Sequence, residues 1–199
     1  MSSFDEDVVR EYFELNYFFV RQLQKHRVRS RKKTADDTVS MLILNPDVAD
    51  ESRQTNFQLF SVDMSSIRQA LVVVHSWQHT RVTPAILKSN ARLADFLKKN
   101  LLKQLGAAFE LEHDAVETDK TYKKLAVIPG LPTADPHRAE CIALFKEQKI
   151  DGVIAFSTLL EDWLRHVEVN HSYHKSKLLQ LVRVLKIYDM VQSPQLRLF

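Results

Sequence analysis

Apolar positions change their period several times along the chain, and each change predicts an element. From Asp5 to Leu15, Val8, Val9, Tyr12 and Phe13 fall on one helical face, while Glu11 and Glu14 lie near the other. Tyr17 to Leu23 switches to the aromatic and branched residues of a strand. Val39 to Leu44 is a nearly unbroken apolar run closed by Asn45-Pro46-Asp47, which predicts a buried strand ending in a turn. Phe57 to Val62 and the valine-rich Ala70 to Val74 predict two central strands. Thr83 as cap and Pro84 in the first turn open a helical region, in which Leu93, Phe96, Leu97, Leu101 and Leu105 keep helical spacing until Gly106, the expected stop.

Glu110 to Thr121 is polar and acidic and predicts a loop or a frayed helix end. Leu125 to Ile128 is a strand closed by Pro129-Gly130, and Asp135-Pro136 opens a helix with Cys141, Leu144 and Phe145 on its inner face. Val153 to Phe156 is one more strand. Thr158 with Glu161 three residues on has the spacing of a capping box ahead of Leu159, Leu160, Trp163, Leu164 and Val167. A last helix is expected from Ser176 to Met190, with Leu178, Leu181, Val182, Leu185 and Tyr188 facing in. Strands interspersed with helices imply an α/β fold with a mixed sheet flanked by helices.

Composition narrows this picture. A chain of 199 residues with 45% hydrophobic content buries one core, so a single domain is expected over residues 1–192, followed by a tail at 193–199. Three glycines and six prolines in 27% charged residues do not suit low complexity, and no repeat is visible. Asp5, Asp7, Glu11 and Glu14 are wrong for a signal peptide, and no apolar run is long enough to span a bilayer. The expected location is the cytoplasm, without a membrane partner, and the single Cys141 fits a reducing compartment. The scattered glycines exclude Walker A and dinucleotide loops, so no nucleotide cofactor is expected.

The net charge of +3 is unevenly distributed. Arg21, Lys25, Arg27, Arg29, Arg31, Lys32 and Lys33 occur without an intervening acid, a composition suited to a polyanion such as DNA. Trp77, with Arg81 nearby, either stacks on a base or closes the core. No metal site is expected. His75 and His79 straddle a strand end, and His166, His171 and His174 lack a recognised ligand spacing. Cys141, on an apolar helix face, reads as a structural thiol.

The opening order of helix, three strands, helix and strand resembles the core of PD-(D/E)XK nucleases over roughly residues 4–156, with a C-terminal helical extension at about 157–192. That resemblance implies a restriction-endonuclease-like fold, with an acid in the first helix, an aspartate on the second core strand and Glu-x-Lys on the third. Such carboxylates hold magnesium, which generates hydroxide and stabilises phosphate charge. By the resemblance the helix acid is Glu11 or Glu14, but Ser40 stands where the strand aspartate belongs, and Val73 and His75 fill the Glu-x-Lys positions. Serine and valine do not replace metal-binding carboxylates, so a non-catalytic member is expected. The alternative is an active magnesium-dependent nuclease in which Asp36 or Asp37 and Asp63 enter the site and His75 transfers a proton.

Ser193-Pro194 should end the last helix and free Gln195-Leu196-Arg197-Leu198-Phe199. This pentapeptide resembles the motif by which bacterial replication and repair proteins hold the sliding clamp. The resemblance implies that Leu198 and Phe199 fill an apolar pocket, with Leu196 and Gln195 beside it; Arg197 departs from the usual small or acidic residue. The combined expectation is a DNA-binding accessory protein of bacterial replication or repair, recruited to the clamp by its tail. A protein-interaction domain without nucleic-acid function is the other class the sequence leaves open.

Overall fold

The computed structural model of the protein describes residues 4–23, 38–48, 55–75, 82–113 and 122–191. Helix α1 (Phe4–Leu15) begins with Asp5, Glu6 and Asp7, which suit the positive end of a helix dipole. Strands β1 (Phe19–Gln22), β2 (Thr38–Leu44) and β3 (Gln69–His75) form an antiparallel meander. Helices α2 (Pro84–Leu87), α3 (Asn90–Phe96) and α4 (Leu102–His113) lead to β4 (Lys123–Ile128), which runs parallel to β3. After α5 (His137–Glu147), β5 (Gly152–Ala155) lies parallel to β4, and α6 (Phe156–His166) and α7 (Lys177–Ile187) follow. The result is one mixed five-stranded sheet in the order β1-β2-β3-β4-β5.

Strand alternation divides the core into two layers. Met41, Ile43, Val72, Val74, Leu125, Val127 and Ile154 meet Val8, Val9, Tyr12 and Phe13 of α1 and Leu159 and Trp163 of α6 on one face. Leu71, Val73, Ala126, Ile128 and Val153 meet Leu93, Leu97, Leu101, Phe109 and Phe145 on the other. The helices of both crossovers thus share a face, as two parallel connections of one hand running in one direction across a sheet require.

Several expectations need correction. Phe57 to Val62 is not a strand. Gln58 makes an isolated bridge to Val153, Leu59 N–H and Val153 N–H bond across it at 2.8 Å each, and Ser61–Ser66 turns into a 3₁₀ helix. That short bridge covers part of the outer edge of β5. The helix begun at Thr83 breaks after one turn and restarts with Ser89 as a second cap. Gly106 does not stop it: α3 passes through a π turn at Leu97–Leu101 into α4, and Leu105, Ala108 and Phe109 are buried on either side of the glycine. The Thr158 and Glu161 capping box is absent because α6 starts at Phe156, capped by Ala155, leaving Thr158 buried within the helix.

Helix C-termini here do without glycine. At the end of α1, Tyr17 adopts φ 66°, its N–H bonds Glu14 O at 3.1 Å, and Phe18 N–H bonds Phe13 O at 2.9 Å. This is a Schellman cap, and its usual apolar contact is the edge-on packing of Phe18 against Phe13 with centroids 5.5 Å apart. Lys149 (φ 56°) after α5 and Asp189 (φ 52°) after α7 repeat the arrangement with Ile150 to Phe145 and Met190 to Leu185 bonds.

Candidate functional site

The β2–β3 ladder places Ser40 opposite Val73 and Thr38 opposite His75. Ser40 is buried, Val73 is fully enclosed within the layer of Leu71, Ala126 and Val153, and His75 is 4% exposed. Since side chains alternate across a strand, Val73 and His75 share the face covered by α3 to α5. Helix α1 lies on the other face, against Val72 and Val74. The structure therefore does not bring Glu11 or Glu14 together with His75. Asp63 also lies on the α1 side: its carboxylate accepts the Phe60 N–H at 2.8 Å and belongs to a turn whose Met64 and Ile67 enter that core. Asp36 and Asp37 lie outside the described residues.

Glu14 has its own environment. Partial burial raises its pKa, the neighbouring Glu11 carboxylate adds to the rise, and Arg10 opposes it. Arg10 sits 4.0 Å from Glu14 and 3.2 Å from Asp7, so the exposed side of α1 is an ion-paired helix surface.

A more closely built polar group lies where α1 meets α6. The Asp162 side chain is 1% exposed, and its Oδ2 accepts from Asn16 Nδ2 at 3.0 Å. The same Asn16 amide donates to Tyr12 O at 2.9 Å. His166 Nδ1 stands 3.3 Å from Asp162 Oδ1 and 3.0 Å from Asp162 O, with about half of the imidazole side chain exposed. Burial pushes the Tyr12 hydroxyl well above the ordinary phenol range; Ser61 beside it acts in the opposite sense, and the Asp162 and Asp63 charges add to the rise. The imidazole is held by the Asp162 backbone carbonyl, and the Asn16 to Asp162 bond ties the end of α1 to α6.

No family model, curated protein or solved structure matches this chain. Among the described residues, no group of three or more His, Cys, Asp or Glu residues is arranged to hold a metal ion. Of the late histidines, His166 belongs to Asp162 and His171 to Glu168 at 2.8 Å, while His174 is exposed. Cys141 is buried and its thiol is pushed up by burial, which suits a packing role. No described helix is long and apolar enough to cross a membrane.

Of the basic segment, only Arg21 is described. It is exposed on β1, opposite Leu42. Lys25, Arg27, Arg29, Arg31, Lys32 and Lys33 lie outside the described residues, as do Trp77, His79, Arg81 and the tail residues Gln195, Leu196, Leu198 and Phe199. The sequence reading missed the Tyr12, Asn16, Asp162 and His166 group. Its only local signal was Asp162 beside Trp163 in the apolar stripe of α6, with His166 one turn on.

Proposed function

We propose that the protein is a non-catalytic, restriction-endonuclease-like DNA-binding accessory factor, recruited to a bacterial sliding clamp through Gln195, Leu196, Leu198 and Phe199. The observation that carries this reading is the ladder register of Ser40 with Val73. These are the cross-strand neighbours at which a PD-(D/E)XK site would need its two strand carboxylates, and a serine and a core valine stand there. Supporting the likeness is the element order of α1, an antiparallel meander and a crossover to a parallel β4. The separation of Glu11 and Glu14 from His75 by the thickness of the sheet disfavours the alternative nuclease with displaced acids.

Arg21 and the basic residues that follow it in sequence would meet phosphates, and the tail would supply location. Burying Leu198 and Phe199 in a clamp pocket is worth about 3 to 6 kcal/mol before ordering costs, which alone corresponds to affinity between roughly millimolar and tens of micromolar, so contacts of Gln195 and Leu196 would have to supply the rest of a micromolar affinity. Calorimetric titration of the whole chain and of a version lacking residues 195–199 against a bacterial sliding clamp tests this. Micromolar binding that disappears on truncation is expected; equal binding by both forms, or none by either, removes the recruitment role.

A further inference from the structure

Among the described aromatic side chains, Tyr12, Phe13, Phe109 and Phe145 are each at most 1% exposed, whereas Phe4, Tyr17, Phe19, Phe60 and Tyr188 are exposed. Two of the exposed rings lie at the start of β1. Tyr17 is 81% exposed and Phe19 is 67% exposed. On β1, Val20 packs against the core layer beneath α1 and α6, so alternation turns Phe19 and Arg21 to the other face of the sheet. There Phe19 stands opposite Leu44, itself 39% exposed, and Arg21 opposite Leu42. Among the described residues, the helices that cover this face over the central strands leave Phe19 and Arg21 exposed, while Leu23 just beyond β1 packs against their layer.

Tyr17 also occupies a backbone conformation in which a bulky residue is an outlier. A glycine would complete the same Schellman cap at lower strain, so the phenol ring is present despite the backbone it sits on. The chain around it is held firmly. Asn16 is tied to Asp162 and Tyr12, and Phe18 is 4% exposed against Phe13.

We propose that Tyr17, Phe19 and Arg21 form a stacking platform for single-stranded DNA. This rests on the DNA-binding reading above and names the form of DNA. Stable protein interfaces need about 800 Å² from each partner, some 20 residues or more a side, whereas a base needs only one aromatic face. An aromatic on a sheet face beside an arginine, with a second exposed ring in the turn just before the strand, suits unpaired bases and a phosphate backbone, and a duplex keeps its base faces stacked inside. The sequence continues from this strand into an acid-free run in which Lys25, Arg27, Arg29, Arg31, Lys32 and Lys33 follow Arg21, so the charge complementarity is to a polyanion.

The test is fluorescence anisotropy of the whole chain with a labelled oligothymidylate, its duplex and an oligouridylate. Phe19→Leu keeps an apolar side chain but removes the ring, and is expected to weaken oligothymidylate binding about 5- to 150-fold, the usual range for losing one base stack. Phe19→Trp should bind as the natural chain or more tightly, and both variants should keep the natural melting temperature within a few degrees. Unchanged affinity in Phe19→Leu, or preference for the duplex, overturns the platform while leaving the DNA reading intact. Tighter binding of the oligouridylate overturns the assignment to DNA. Absence of binding to all three at low salt removes the platform and the DNA reading together.

Discussion

Replacing Tyr17 by glycine should make this protein more stable. The left-handed conformation at φ 66° brings Cβ close to the following carbonyl oxygen, at about 1–2 kcal/mol for an L-residue with a side chain. Glycine removes that strain but gives the unfolded chain more freedom, which costs about 0.4–1 kcal/mol. Tyr17 is 81% exposed, so little burial is forfeited, and the two hydrogen bonds of the cap are backbone bonds that survive the substitution. The balance is a gain of about 0.5–1 kcal/mol, which in a chain of this size corresponds to about 1–4 °C in Tm. Urea unfolding should show the midpoint rising with the slope unchanged, since the surface exposed on unfolding hardly differs. Tyr17→Ala is the control, because alanine keeps the Cβ clash and should not stabilise. Lys149→Gly should behave like Tyr17→Gly, and Asp189→Gly should gain less because aspartate visits this region more readily. A Tyr17→Gly variant less stable than the natural chain, or alanine and glycine variants of equal stability, would refute the strain argument.

Two glycines should respond to alanine in opposite senses. In Gly106→Ala the new Cβ would meet only the Gln148 side-chain oxygen at 2.7 Å, an exposed group free to move, so the helix-propensity gain of about 0.8–1 kcal/mol should be largely realised. In Gly152→Ala it would lie 2.9 Å from Leu59 Cδ1 and 3.2 Å from Leu125 Cδ2 within the packed core, and a loss of about 1–3 kcal/mol is expected from chemical denaturation. Because Glu14 is raised by burial and then by Glu11, Glu11→Gln should lower the Glu14 pKa, as an NMR titration of its side-chain carbonyl would report. The folded chain holds this proton more tightly than the unfolded chain, so stability should increase as pH falls through the raised value toward the ordinary one. Glu14→Gln should flatten that dependence.

Elements whose pattern coincides with their burial were legible from sequence. β3 is apolar because both of its faces are covered, and α1 shows its buried stripe because its other side is ion-paired surface. Misreadings arose where a local signal was outweighed by packing. Gly106 has the lowest helix propensity short of proline, yet Leu105, Ala108 and Phe109 hold its helix together through the core. The run from Val153 to Leu160 contains no punctuating residue, so the change from strand to helix at Phe156 leaves no mark that Thr158 and Glu161 do not obscure. Nor does periodicity say which face of the sheet α1 covers. That choice separates Glu11 and Glu14 from His75, and it is made by tertiary packing. Asn16 and Asp162, 146 residues apart, meet only because α1 and α6 pack side by side.

The same meeting links the interior to the proposed binding surface. Asp162 has a buried side chain whose Oδ2 accepts from Asn16, and removing that donor would leave the carboxyl group less well satisfied in the core. Asn16 therefore fixes the last turn of α1, and from it the chain alternates between anchored and presented residues: Asn16 tied to Asp162, Tyr17 outward, Phe18 enclosed against Phe13, Phe19 outward. A ring held by such a backbone loses little freedom when a base stacks on it, and less ordering entropy opposes binding. In the proposed platform, the strained Tyr17, costly to the isolated fold, would be retained for the ring it presents. Stability and binding at this corner should change in opposite directions on replacing Tyr17 by glycine, because the ring that would serve the second is carried at the expense of the first.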